Sequence, residues 1–156
     1  VDEDLTHLDE QGRARMVDVG AKQPTARVAV AEAHISLSPE VRDRLFAGDL
    51  PKGDAVAVAR IAAIMGAKQT SSLVPLCHPI PLDAVEVAVE PTETGARVEV
   101  MARTQARTGV EMEAMTAAAL GVITIYDMVK GLDRGAEVGP VRLLEKSGGR
   151  SGRWRR

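Results

Sequence analysis

Polar and apolar residues alternate from Thr25 to Ile35, with Val28 and Val30 on one side of the chain and Arg27 on the other, which is the period of a strand. Ser38-Pro39-Glu40 then offers a capping serine and a proline at the first helical position, and predicts a short helix ending near Gly48. A second helix is predicted from Asp54, as N-cap, to Gly66, with Val58, Ile61 and Met65 spaced as an apolar stripe and alanines allowing close packing. Beyond a proline-rich loop, Val85, Val87 and Val89 alternate with polar or small residues. Thr92-Glu93-Thr94-Gly95 turns the chain into Arg97 to Ala102, a hairpin with one buried face. A long helix follows from Gly109 to about Lys130, and Pro140 to Leu144 reads as an edge strand.

This order of strand, helices, strand, strand, helix and strand suits an α+β, ferredoxin-like fold: an antiparallel sheet with helices on one face. Residues 1–24, polar and broken by Gly12, Gly20 and Pro24, read as an extended arm that packs on a neighbour. Residues 148–156 read as a flexible basic tail. The length of 156 residues fits a single domain spanning 1–156.

Composition narrows the functions this frame can carry. With 45% hydrophobic and 27% charged residues the chain is globular in character, and its longest apolar stretches fall short of a membrane span, so no membrane is expected as a partner. Phe46, Tyr126 and Trp154 are its only aromatic residues. Three scattered rings cannot form a stacking platform for single-stranded nucleic acid or an aromatic cage. The net charge of -2 conceals an acidic start and a basic end, since Lys130–Arg156 holds eight basic residues against three acids. A solvated tail, or an arm that touches nucleic acid, both fit that end. One cysteine, Cys77, rules out an internal disulfide framework and multi-cysteine metal sites and fits a reducing cytoplasm. Val1-Asp2-Glu3-Asp4 has no secretory character.

Four places can carry chemistry. Lys52 precedes the predicted N-terminus of the second helix, whose free N–H groups favour an anion and would push a neighbouring lysine toward its neutral form; an exposed turn lysine is the plainer reading. Cys77 and His78 lie in a loop stiffened by Pro75, Pro79 and Pro81, where neighbours on an extended segment project to opposite sides, so a direct thiolate–imidazole pair is not expected. The loop reads either as a rigid connection or as a ligand lining. His7, His34 and His78 are far apart in sequence, and no metal site is expected. Thr108 and Glu111 form the spacing of a capping box. Glu113, some 200° round the helix from Glu111, would serve a different face, and shares its own face with Asp127, roughly 21 Å along the axis. Asp127 and Lys130 are spaced for an ion pair. No phosphate-binding glycine loop of the G-x-x-x-x-G-K-[ST] kind is present, so any polyphosphate would be held by dispersed lysines and arginines.

Taken in order, Leu5-Thr6-His7-Leu8-Asp9, Met16-Val17-Asp18-Val19, Pro51-Lys52-Gly53-Asp54, Leu76-Cys77-His78-Pro79, Thr108 to Ala114, Thr124 to Met128 with Lys130, and Gly139 to Leu144 leading into Lys146-Ser147-Gly148-Gly149 resemble the MoaC family. The resemblance spans nearly the whole chain. Gly149-Arg150 stands where many members have Gly-Lys, and Asp49 where a basic residue is frequent. It implies a hexamer, a trimer of dimers, with sites between subunits. It also implies a purine-nucleotide-derived substrate, 3′,8-cyclo-7,8-dihydro-GTP, converted without cofactor or metal to cyclic pyranopterin monophosphate and pyrophosphate in molybdenum cofactor biosynthesis. It further implies that Asp127, Lys52 and Lys130 are catalytic and that Leu76, Cys77, His78, Met112 and Glu113 line the substrate. Lys22, Arg27, Lys68 and Lys146 would then bind the triphosphate. Set against this are two alternatives, a basic-tailed nucleic-acid binder and a ferredoxin-like module that senses a ligand without turnover.

Overall fold

The computed structural model describes residues 7–156; Leu5 and Thr6 of the first motif lie outside them. Eight elements follow in order: β1 (Thr25–Ser36), α1 (Pro39–Ala47), α2 (Ala55–Leu73), β2 (Ala84–Thr92), β3 (Gly95–Ala106), α3 (Glu111–Val129), β4 (Glu137–Ser147) and β5 (Trp154–Arg155). The strands form one antiparallel sheet in the order β2-β3-β1-β4-β5. The first four strands with α2 and α3 make the ferredoxin-like α+β arrangement. Gly48 ends α1 in the left-handed conformation at φ 71°, which glycine adopts without a Cβ penalty. Asp54 caps α2 by accepting a hydrogen bond from Ala57 N at 3.0 Å.

Alanine, rather than large aliphatic residues, faces the centre. Ala29, Ala31, Ala33 and Ile35 of β1 and Ala96, Val98, Val100 and Ala102 of β3 point inward beneath Ala114, Ala117, Ala118, Val122 and Ile125 of α3. Val28 and Val30 therefore share the sheet's other face with Glu32. On α2 the buried residues are Ala55, Ala59, Ala63, Gly66, Ala67 and Thr70. The expected stripe is turned out: Val58, Ile61 and Met65 are all exposed, Ile61 by 60%. The reason is the closeness of α2 to α3, where a Cβ on Gly66 would stand 3.1 Å from Leu120 Cδ2. Large side chains on that face would hold the helices apart. Gly121 makes the same allowance below, where a Cβ would meet Val98 Cγ1 at 2.9 Å.

Other expectations are revised. α2 runs about two turns beyond Gly66, to Leu73, and there Thr70 is buried and returns its hydroxyl to Gly66 O at 2.9 Å. α3 has no capping box: Val110 is its N-cap, without a side-chain bond, and Glu111 is drawn elsewhere. α3 is also long and apolar enough to cross a membrane, contrary to the reading of short apolar stretches, but it is the central helix on the sheet, with nine residues buried. The basic end does not hang free. Residues 154–155 pair with Glu145 and Lys146 as β5, Arg153 meets Glu145 Oε1 at 2.8 Å, and Arg156 Nε donates to Leu143 O at 3.0 Å. Of the basic residues in 148–156, Arg153 is the one set against a carboxylate among the described residues, which offsets part of the charge that a nucleic-acid arm would present.

Candidate active site

α2 and α3 run antiparallel, so the start of α3 lies near the end of α2, and its end lies near the start of α2. The candidate residues gather at these two ends. At the first, a cleft of about 560 Å³ is lined by His7, Val17, Val19, Lys22, Val74, Leu76, Cys77, His78, Thr108, Gly109, Glu111 and Met112. The arm supplies one wall, the proline-stiffened loop a second and the first turn of α3 the third. Leu76, Cys77, His78, Met112 and Lys22, far apart in sequence, thus share one space. His7 and Glu111 join them, although spacing alone assigned neither to the site.

Glu113 lies beneath this cleft, buried, with one carboxylate oxygen 3.8 Å from Cys77 Sγ. Its other oxygen, Oε2, has no hydrogen-bond partner among the described residues. Burial raises its pKa above the ordinary carboxylate range, and the charge of Glu111 adds to this. Glu111 lines the cleft directly, whereas Glu113, on another face of the first turn, lies behind it in contact with the lining Cys77. The Cys77 thiol is pushed up to about 11, first by burial and then by the charge of Glu113. Its polar neighbours are Glu113 and its own loop's His78 O, at 3.8 Å each, not an imidazole ring. It is a neutral thiol at physiological pH.

At the second end, Lys52 donates to the backbone oxygen of Asp127 at 2.7 Å and lies 3.4 Å from its Oδ2, while Lys130 Nζ is 2.9 Å from Asp127 Oδ1. Lys52 is not aimed at the α2 N-terminus, which Asp54 already satisfies. It reaches across to the last turn of α3, where carbonyls favour a cation. Hydrogen bonding to Lys130 and its charge, followed by Lys52, hold the Asp127 carboxyl below its usual range. Asp127 in turn holds the Lys130 ammonium above its own. At neutral pH the result is an ionised carboxylate against a protonated Lys130. All three side chains stay open to solvent.

The four expected phosphate cations divide. Lys22 lines the cleft and Lys146 lies beside it, 3.0 Å from Glu111 Oε1. Arg27 spends its guanidinium on Ala106 O at 3.1 Å and Arg107 O at 3.4 Å, just before α3. It also packs against Gly148 and Gly149, where any Cβ would collide. Lys68 lies in a separate groove of about 420 Å³ between α2 and the β2 edge, with Ile64, Ile80, Leu82 and Asp83. Within one chain it is not brought to the cleft.

The sequence pattern of the MoaC family matches residues 16–149. The chain belongs to the MoaC family. A Thermomicrobium roseum protein named cyclic pyranopterin monophosphate synthase is 55% identical over 155 residues, 98% of this chain and 93% of its own. Proteins with the same name from Roseiflexus castenholzii and Brucella ovis are 54% and 53% identical, over 96% of this chain and 96% and 92% of theirs. The MoaC match takes in both ends of α3 and the loop between α2 and β2.

Proposed function

We propose that this MoaC-family chain is a cyclic pyranopterin monophosphate synthase, a lyase of molybdenum cofactor biosynthesis acting in the cytoplasm on 3′,8-cyclo-7,8-dihydro-GTP. The observation that carries the reading is the division of the candidate residues. A lining cleft sits at one end of α3 and a Lys52–Asp127–Lys130 cluster at the other, roughly 20 Å away along the helix. One chain cannot put both on a single reacting centre. Two copies can, if the cleft of one faces the lysine–aspartate cluster of the next, which makes the enzyme a homo-oligomer with shared sites, in the family a trimer of dimers. The exposed row of Val58, Ile61, Met65 and Leu73 on α2, with Ile123 on α3, is apolar surface of the kind that association buries.

The division of labour follows from the chemistry. Closing the cyclic phosphate joins a substrate hydroxyl oxygen to the α-phosphorus. The bond to the β-phosphate oxygen breaks, and pyrophosphate leaves with the electron pair. Lys22 and Lys146, with Lys68 supplied by a neighbouring copy, offset the triphosphate charge, and Arg27 keeps the adjoining turns in place. The ring rearrangement needs proton transfers, which we assign to Lys52 and Lys130. Asp127 keeps Lys130 charged, so that Lys130 acts as acid and electrostatic support. The purine rests on Leu76 and Met112, with His78, Cys77 and Glu113 toward its polar edges.

Incubation with the cyclised dihydro-GTP should release pyrophosphate. Lys52→Ala should lower kcat by about a hundredfold or more while the chain still folds. Mixed oligomers of Lys52→Ala and His78→Ala chains should regain activity that neither variant has alone. Native-rate turnover by Lys52→Ala would remove the catalytic assignment, and no recovery in the mixture would remove the shared site.

A further inference from the structure

Glu111 has no part in the reading above, yet it is paired with Lys146, one of the cations assigned to the triphosphate. Glu111 sits on the first turn of α3 and lines the cleft, and its Oε1 lies 3.0 Å from Lys146 Nζ near the end of β4. Its carboxylate is folded back over Gly109, occupying the place where a Cβ on that residue would stand. A Cβ at Gly109 would displace this flexible carboxylate from its place beside Lys146. Lys146 is held from the other side. It pairs with Ala29 in the β1–β4 register, and the Gly148–Gly149 turn that follows is packed on Arg27. Both side chains are more than two-thirds shielded from water, so the pair is screened less than a surface ion pair.

We propose that Glu111 is a built-in stand-in for phosphate. It neutralises Lys146 while the cleft is empty, gives that lysine up to the triphosphate, and takes it back as pyrophosphate departs. The inference rests on the reading of the cleft as a phosphate site. A half-buried ammonium without a counter-charge is unfavourable, and exchanging one anion for another keeps Lys146 paired throughout. The incoming phosphate carries more charge than one carboxylate and wins when present, but its net gain is reduced by the contact it displaces. Glu111 therefore weakens phosphate binding and speeds product loss, a specificity role distinct from contact with the reacting atoms.

The test is calorimetric binding of pyrophosphate to the whole protein, wild type against Glu111→Gln, with thermal melting to confirm folding. Glu111→Gln keeps the side-chain shape and removes the competing charge. It should bind pyrophosphate at least fivefold more tightly, and pyrophosphate should become a correspondingly stronger product inhibitor. Adding Lys146→Ala to Glu111→Gln should abolish the gain. Equal or weaker binding by Glu111→Gln, with the wild type binding normally, would overturn the inference and leave the phosphate reading standing. Tighter binding that survives Lys146→Ala would also overturn it. No pyrophosphate binding by either protein would overturn both.

Discussion

Glu32 and Glu113 are almost equally removed from water, at 3% and 2% exposure, yet their surroundings drive them in opposite directions. Glu32 lies on the sheet face away from the helices. Arg142 Nε reaches its Oε1 at 2.7 Å, His34 Nε2 lies 3.2 Å from the same oxygen, and Arg97 reaches Oε2 at 3.3 Å. Glu90 and Glu99 engage Arg97 from the outside. Burial alone would raise the Glu32 pKa, but Arg142 and His34 outweigh it and the net shift is downward. Glu113, whose burial raises its pKa, has a weak thiol for a partner, an Oε2 without one among the described residues, and the charge of Glu111 nearby, and it shifts upward. Burial of a carboxylate therefore does not decide its charge; the donors brought to it do. A fully partnered carboxylate supports the fold. An under-partnered one beside a cleft is available to a ligand, and its cost to stability is the mark of that availability.

Removing the charge of Glu32 is the larger disturbance. Glu32→Gln should destabilise the chain by about 2 kcal/mol at pH 7, held to that figure because Arg97 and Arg142 remain 31% and 42% exposed and water screens their contribution. The sign with pH is fixed by the downward shift. Stability from Glu32 is fully present above the unfolded carboxyl value of about 4.3 and is lost as pH falls through the lower folded value. The gap in Tm between wild type and variant should thus be constant from pH 6 to 8 and close in acid. A gap that persists unchanged to pH 2 would show that the network acts through shape rather than charge.

Glu113→Gln should have the opposite sign and a smaller size. An upward-shifted carboxyl adds stability below its unfolded value and loses it as pH rises through the folded one, so ionised Glu113 is a burden at pH 8. The variant should melt above the wild type there, by roughly 1 kcal/mol, and match it near pH 4. With Glu113 assigned to the substrate, turnover should fall even as stability rises. A variant that loses stability at pH 8 would place Glu113 among the fold's supports, beside Glu32.

The same distinction separates what the sequence reveals from what it hides. Element order could be read because each element carries its own local signal: the alternation about Val85–Val89, the turn at Glu93-Thr94, Pro39 at the start of α1, Asp54 before α2. Residues grouped by neighbouring position, such as Leu76-Cys77-His78 or Asp127 with Lys130, could be singled out for the same reason. The buried face of α2 could not. Val58, Ile61 and Met65 are the more hydrophobic row, and only the close approach of α3, made possible by Gly66, turns the alanines inward. Glu111 was likewise hidden, because its sequence neighbours offer a cap while its partner, Lys146, comes from β4. The bond from Lys52 to Asp127 O joins residues 75 positions apart, and no local period encodes it. The Glu111–Lys146 pair joins residues 35 positions apart, and no local signal encodes it.

Cys77 offers the finest measure of the comparison, since it is the sole hydrogen-bonding side chain found on Glu113 among the described residues. Its thiol stands at about 11 because burial disfavours the thiolate and because Glu113, through its charge and its hydrogen bond, disfavours it further. Alkylation by iodoacetamide should therefore be slow at pH 7 and accelerate about tenfold for each unit of pH up to the thiol's own value. In Glu113→Gln the charge of Glu113 is gone, while burial and the charge of Glu111 remain. The midpoint should move down but stay above an ordinary cysteine's value of about 8.5. Burial, the largest cause, together with the charge of Glu111 would make up the residual shift. A midpoint that does not move would mean that Glu113 carries no charge at those pH values. A fall to the ordinary value would assign the whole perturbation to the carboxylate, and the cleft floor would have to be wet.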